Sequence, residues 1–315
     1  ALVGFGYRKR EERPGFAQTL QGGGVAAMYL VVFFSYRTYE LLPAPLAFGL
    51  LAGIALCSGA LSLLQDAMAL VVIGIIGGFL APILASTGEG SHVALFSYYL
   101  ILNGLILAVA FRKAWRLLNV IGFVFTFGIG TAWGVLRYQP EHFATTEPFL
   151  AAFFLLYLAI PILFSTRHTS DGAGRGWVDA SLIFGTPLAV LLLQGALVDD
   201  IPFGMALSTM VLGLVYVGLG TWLWRSNHPH FLNMVESLLA IGVGFGTLAV
   251  PYAFDNHNLT GATWALEGAG LYWVGVRQGR WLSRWAGAAL QVAAAFALFY
   301  RALAGGGSAD ELAVL

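Results

Sequence analysis

Ala67-Met68-Ala69-Leu70-Val71-Val72-Ile73-Gly74-Ile75-Ile76-Gly77-Gly78-Phe79-Leu80-Ala81-Pro82-Ile83-Leu84 contains no charged and no strongly polar side chain. A surface helix of a soluble protein would show a polar residue on every turn, and a membrane β-strand would alternate. Here every face is apolar, so the surrounding solvent is lipid. As a helix the run is about 27 Å long, close to the roughly 30 Å hydrocarbon core of a bilayer.

Ten further stretches of this kind make up most of the chain. They run approximately 22–36, 45–64, 92–111, 114–136, 148–165, 178–198, 201–224, 231–254, 261–276 and 282–302. Hydrophobic residues make up 58% of the 315 residues and charged ones only 10%, with mean hydropathy +0.78. The net charge of zero argues against the basic stripe that nucleic-acid binding requires. Cys57, the single cysteine, sits in an apolar run and is read as packing. No cleavable signal peptide is visible, because Ala1 to Tyr7 is short and lacks a basic segment before it.

Charge fixes the orientation. With the amino terminus in the cytoplasm, Arg8, Lys9, Arg10, Arg13, Arg112, Lys113, Arg116, Arg167, Arg175, Arg225, Arg277, Arg280 and Arg284 fall inside. Only Arg37, Arg137 and Arg301 fall outside. One misplaced helix would invert every later loop and scramble this separation, so the positive-inside rule supports eleven spans with the carboxyl end outside.

A repeat of roughly 105 residues is also legible. Leu46 to Leu51 matches Ala151 to Leu156, Phe79 and Pro82 match Phe184 and Pro187, and Gly128 and Gly130 fall on Gly242 and Gly244. Arg116 to Asn119 resembles His230 to Asn233. Four helices per unit return the chain to the same side, so the repeats are parallel. The expected fold is therefore all-α: a polytopic membrane protein of about eleven transmembrane helices with parallel four-helix internal repeats. It forms a single transmembrane domain over 1–315, with repeats at about 46–150 and 151–260. Both ends read as interrupted helices, the mark of a fragment of a longer chain.

The run Gly77-Gly78-Phe79-Leu80-Ala81-Pro82, the segment Tyr98 to Asn103 and the stretch Trp115-Arg116 through Trp133-Gly134 carry a resemblance. So does Thr263-Trp264-Ala265-Leu266-Glu267-Gly268, followed by Gly275-Val276-Arg277-Gln278. Together they resemble the large bacterial membrane proteins grouped as domain of unknown function 2339, over nearly the whole chain. The resemblance implies a multi-pass protein of the bacterial inner membrane and assigns no catalytic residue.

Ionisable groups at membrane depth are costly and by default functional. Glu236 lies roughly 8 Å from the inner end of its helix and Glu267 roughly 9 Å from the outer end of the next, so the two do not form a carboxylate pair. Glu236 shares its level with Arg277, Gln278 and Arg280, and an interfacial ion pair is its simpler reading. For Glu267 the nearest basic residue by level is Arg301, which leaves a protonated structural role or a substrate site. Asn103, Gln194 and Gln291 lie inside their helices, as interhelical hydrogen-bonding groups or as the lining of a cavity. These five are the candidate substrate-binding residues.

Gly49-x-x-x-Gly53, Gly130-x-x-x-Gly134 and Gly242-x-x-x-Gly246 are read as close helix crossings. Pro82, Pro161, Pro187 and Pro251 are candidate kinks, and Trp133, Trp177, Trp222, Trp224, Trp281 and Trp285 form an interfacial belt. His228-Pro229-His230 has no companion ligands for a metal. His92, His142 and His257 with Glu89, Glu141, Asp199, Asp200 and Asp255 are outer loop residues read as solvated. The sequence calls for no metal and no cofactor. Its partners are membrane lipids, other membrane subunits or the remainder of the chain.

Two functions compete: transport or handling of a small molecule, ion or lipid at the repeat interface, and a non-catalytic membrane scaffold. An enzyme ranks third, because no paired acids or His-carboxylate set is evident. A water-reachable polar cavity would favour handling; buried polar groups that all face helix contacts would favour a scaffold.

Overall fold

A computed structural model describes residues 1–85, 91–113, 115–167, 175–225, 232–254, 257–277 and 281–304. Among them there is no strand. A short α1 (Leu2–Arg8) is followed by α2 (Pro14–Arg37), α3 (Ala44–Gln65), α4 (Met68–Ala85), α5 (His92–Arg112), α6 (Arg116–Arg137), α7 (Phe143–Arg167), α8 (Arg175–Leu197), α9 (Gly204–Arg225), α10 (Leu232–Phe254), α11 (His257–Arg277) and α12 (Trp281–Ala304). Each of the eleven apolar stretches falls on one of the helices α2 to α12. By length and composition seven helices of the described residues can cross a membrane: α2, α3, α5, α6, α7 (taken with the 3-10 turn before it), α9 and α10. Within α4, α8 and α12 the qualifying apolar segments are shorter, Met68–Ile83, Leu182–Leu197 and Gly287–Phe296.

The chain divides into two compact units, Ala1–Leu193 and Gln194–Leu315. In the first, α2 packs on α1, α3 and α4, and α5 packs on α3, α4, α6 and α7. Pro14 and Pro45 stand in the first turns of α2 and α3, where a missing N–H costs nothing. The turn from α3 to α4 is made by Asp66 in the left-handed conformation (φ 55°, ψ 36°), a region that Asp tolerates better than most residues. The Ala67 N–H donates to the Ser62 carbonyl, and the Ser62 hydroxyl donates to the Ala67 carbonyl.

The motif Gly77 to Pro82 has a physical explanation in this unit. Pro82 lies inside α4, so the Gly78 carbonyl loses its helical N–H partner. The buried Tyr98 hydroxyl donates to that carbonyl (3.0 Å), Tyr99 to the Phe79 carbonyl (3.1 Å) and Tyr29 to the Gly74 carbonyl (2.8 Å). Glycine admits the rings: a Cβ on Gly77 would lie 2.9 Å from the Tyr29 ring, and one on Gly78 3.1 Å from Leu102. The motifs Gly77 to Pro82 and Tyr98 to Asn103, on consecutive helices, thus form one α4–α5 seam.

In the second unit the intimate pairs are α9 with α10 and α11 with α12, and α10 also touches α11. Backbone meets backbone here. A Cβ on Gly213 would lie 2.9 Å from the Gly242 carbonyl oxygen and 3.0 Å from the Gly246 nitrogen, and one on Gly287 would lie 2.5 Å from the Tyr272 nitrogen. Of the three small-residue motifs, only Gly242-x-x-x-Gly246 makes such a crossing; Gly49, Gly53, Gly130 and Gly134 face open space. Spacing alone does not reveal which face of a helix meets a neighbour.

Cys57 is exposed rather than packed inside. Leu30, Leu192, Leu207, Leu214 and Phe296 are likewise exposed on helices, an apolar perimeter that water would penalise and hydrocarbon does not. Trp222, Trp224, Trp281 and Trp285 are exposed near helix ends, where a membrane interface accepts an indole.

Candidate functional site

Asn103 is fully interior to the first unit and sits at the centre of a polar network. Its amide Nδ2 donates to the Tyr99 carbonyl (2.9 Å) and to Thr126 Oγ1 (2.8 Å), and its Oδ1 accepts from the Tyr157 hydroxyl. The network joins α5, α6 and α7 with every member buried. Gly122 opposite completes the fit, since a Cβ there would strike Tyr157 and Ile106. Asn103 has thus spent its amide on structure, the interhelical role rather than a cavity lining.

Gln194 is buried at the end of α8, and its Nε2 donates to Ser208 Oγ at 3.1 Å. Glu236 is half-buried in the second turn of α10. The Arg277 side chain and residues Gln278 and Arg280, with which it was matched by level, lie outside the described residues. Glu267 is half-buried on α11, and its Oε1 has no hydrogen-bond partner among the described residues. The crossing expected beside it is present: a Cβ on Gly268 would lie 2.8 Å from the Gly287 carbonyl oxygen, whereas Gly270 faces open space. Gln291 is exposed on α12 and reaches the Ala265 carbonyl only at 3.5 Å.

Two cavities adjoin at the arginine-rich end of the first unit, and none of these five residues lines either. One, about 400 Å³, is lined by Arg10, Glu11, Gln18, Gln65, Asp66 and Lys113 among others. The second, about 610 Å³, is apolar, walled by Leu63, Gly104, Leu107, Ala108, Phe111 and Leu163, with Arg112 in its lining. Leu63 belongs to both, so a polar chamber adjoins an apolar groove.

Local structure places each wall. Gly6 lets α1 lie on α2, since a Cβ there would strike Gln21 and the Ala17 carbonyl. Arg10, just after α1, is held by the Tyr7 carbonyl (3.2 Å) and stacks 4.1 Å over the Tyr7 ring. Gln21 and Gln65 exchange reciprocal amide bonds of 3.0 and 3.1 Å, which ties α2 to α3 beneath the chamber. Lys113 Nζ bridges Asp66 Oδ1 at 2.9 Å and Arg10 bridges Glu11 Oε1 at 3.0 Å. Both pairs are solvent-facing, where such bridges contribute at most about 1 kcal/mol.

Charges at membrane depth do not point to this place. In the sequence Arg10 and Lys113 stand out only as part of the charge separation that orients the chain. The available signal was that Asp66 and Lys113 end two helices on the same predicted side. At the opposite end of α5, His92 Nε2 lies 2.7 Å from Thr145 Oγ1 and its ring stacks against His142 and Trp133. Among the described residues no three His, Cys, Asp or Glu gather into a possible metal site. Glu89, Asp255, the His257 side chain and His228-Pro229-His230 lie outside the described residues.

No curated protein and no solved structure matches the chain. A family match does exist, and it agrees with the all-helical, lipid-facing architecture: the chain belongs to the predicted membrane protein family DUF2339, whose model matches residues 1–313.

Proposed function

We propose that this protein handles a lipid, admitted sideways from the membrane into the paired cavities of the first unit. The observation that carries this reading is the junction at Leu63, where a chamber lined by charged groups opens onto a groove walled by aliphatic side chains. A phospholipid has the same division of polarity. Both volumes lie in the range that ordinarily takes small ligands. In the eleven-span topology, with the amino terminus in the cytoplasm of a bacterial cell, the chamber faces the inner leaflet of the inner membrane. The parallel repeats, about 46–150 and 151–260, would give the two halves a common orientation.

Gly104 supplies the test, because it lines the groove and a Cβ added there meets nothing within 4 Å. Gly104→Phe therefore sends a ring into the groove from a position where its first carbon meets no neighbour. The full chain is purified in mild detergent and its retained lipids are counted by native mass spectrometry. Wild type retains phospholipid and Gly104→Phe loses most of it; equal retention by the two refutes the assignment. A cysteine placed at Lys113 in a Cys57→Ser background stays unlabelled by an external impermeant thiol reagent, and labelling would overturn the orientation.

The scaffold reading has its own support, since Asn103 and Gln194 spend their amides on helix contacts. It gains if no lipid is retained. Glu267, with Oε1 unpartnered among the described residues, remains the proposed contact for a proton or cation in the second unit. Gln291 packs against Gly268 beside it, whereas Glu236 lies toward the other end of its own helix.

A further inference from the structure

We infer that the chamber selects a zwitterionic aminophospholipid, one whose headgroup joins a phosphate to a primary ammonium. The inference rests on the lipid reading above and goes beyond it by naming the headgroup. Its basis is the signs of the chamber walls. Arg10 and Lys113 contribute two positive charges, Glu11 and Asp66 two negative ones.

The walls are arranged as two ion pairs, Arg10 with Glu11 and Lys113 with Asp66. Each pair is only partly used. The bridges engage one oxygen of each carboxylate, Glu11 Oε1 and Asp66 Oδ1, while a carboxylate accepts at both oxygens and an ammonium or guanidinium has several donors. A headgroup phosphate takes donors from Arg10 and Lys113, and its ammonium is accepted by Asp66 or Glu11. A lipid with a phosphate and no amine gains the same donors but brings nothing for the two carboxylates. A cation alone brings nothing for Arg10 and Lys113. A ligand bearing both signs engages both kinds of wall residue.

The geometry of the apolar groove supports the same occupant. Leu63 connects the chamber to a wall of Leu107, Ala108, Phe111 and Leu163, and Arg112 stands in that wall one residue before Lys113. An acyl chain can therefore lie in the groove while its own phosphate stays within reach of the chamber. Free phosphoethanolamine has no chain to seat there and forfeits the apolar contribution, about 0.8 kcal/mol per buried methylene.

The test offers the full-length protein equimolar phosphatidylethanolamine and phosphatidylglycerol in mixed micelles, with free phosphoethanolamine as a separate arm, and reads bound species by native mass spectrometry. Wild type prefers the amine lipid by about fivefold, the effect of roughly one exposed charge pair, and does not retain free phosphoethanolamine. Asp66→Asn, an exposed change that keeps the side-chain shape, brings the two lipids to equal binding; a preference undiminished in both Asp66→Asn and Glu11→Gln overturns the assignment. Glu11→Gln serves as the second variant should Asp66→Asn disturb the turn at Asp66. Equal binding of both lipids by wild type overturns the headgroup assignment and leaves the lipid reading standing. Absence of either lipid overturns both. Retention of free phosphoethanolamine overturns the role given to the groove.

Discussion

Among the described residues, networks of buried side-chain hydrogen bonds mark the first unit and glycine-to-backbone crossings mark the second. In the first, Tyr29, Tyr98 and Tyr99 reach backbone carbonyls of α4, and Asn103, Thr126 and Tyr157 close a network across α5, α6 and α7. In the second, Gly213 lies against Gly242, and Gly287 against Gly268, with backbone atoms as the contacts. In lipid there is no hydrophobic force between helices, because hydrocarbon solvates Leu as well as Leu does. Association must come from polar bonds or from close approach; among the described residues the interhelical polar bonds are concentrated in the first unit and the closest backbone crossings in the second. The difference matters for function. Helices joined by long side chains leave gaps at their ends, and both described cavities occur in the first unit. Glycine seams leave little room between the helices they join.

The sharpest way to break the comparison is at Gly213. Gly213→Leu pushes a side chain into the backbone of α10, which has no rotamer to yield, and costs about 3 kcal/mol or more. Gly218→Leu on the same helix meets open space and stays within about 1 kcal/mol of wild type, since helix propensity favours Leu. Unfolding of the full chain by a denaturing detergent, followed by circular dichroism, measures both. Equal effects would mean that the seam at Gly213 does not hold α9 to α10.

A smaller loss is expected in the first unit. Asn103→Leu strands the Tyr157 and Thr126 hydroxyls in a buried site and costs about 2 kcal/mol. Combined with Thr126→Val the losses are less than additive, by about 1 kcal/mol or somewhat under. Strict additivity in the same unfolding assay would show that the two side chains do not act as a unit.

The smallest effect is the most specific. Tyr98→Phe removes the donor to the Gly78 carbonyl and costs about 0.6 kcal/mol, the usual worth of such a bond in a membrane. Pro82→Ala supplies that carbonyl with a helical N–H. Tyr98→Phe should then cost almost nothing when made on the Pro82→Ala background. An undiminished cost would refute the link between Pro82 and Tyr98.

Eleven apolar runs, the helical class and the family resemblance were legible in the residues alone, because each rests on local composition. Twenty consecutive apolar residues have one low-energy state in lipid, a helix whose backbone bonds are all internal. Orientation was argued the same way, from the side on which Lys and Arg collect. Among the candidate site residues, Asn103 and Gln194 were legible as amides in need of partners, across helices or in a cavity, since a buried amide must find them. Which partners was not legible: Thr126 and Tyr157 stand 23 and 54 residues from Asn103, and nothing in the sequence between them states that their helices meet. Tertiary structure alone decided that Gly242 and Gly268 face neighbours while Gly49 and Gly134 do not, because spacing fixes a stripe on a helix but not what lies against it. It alone brought Arg10, Asp66 and Lys113 around one chamber. Those residues close three different helix ends, and only the packing of α1, α2, α3 and α5 puts the ends side by side.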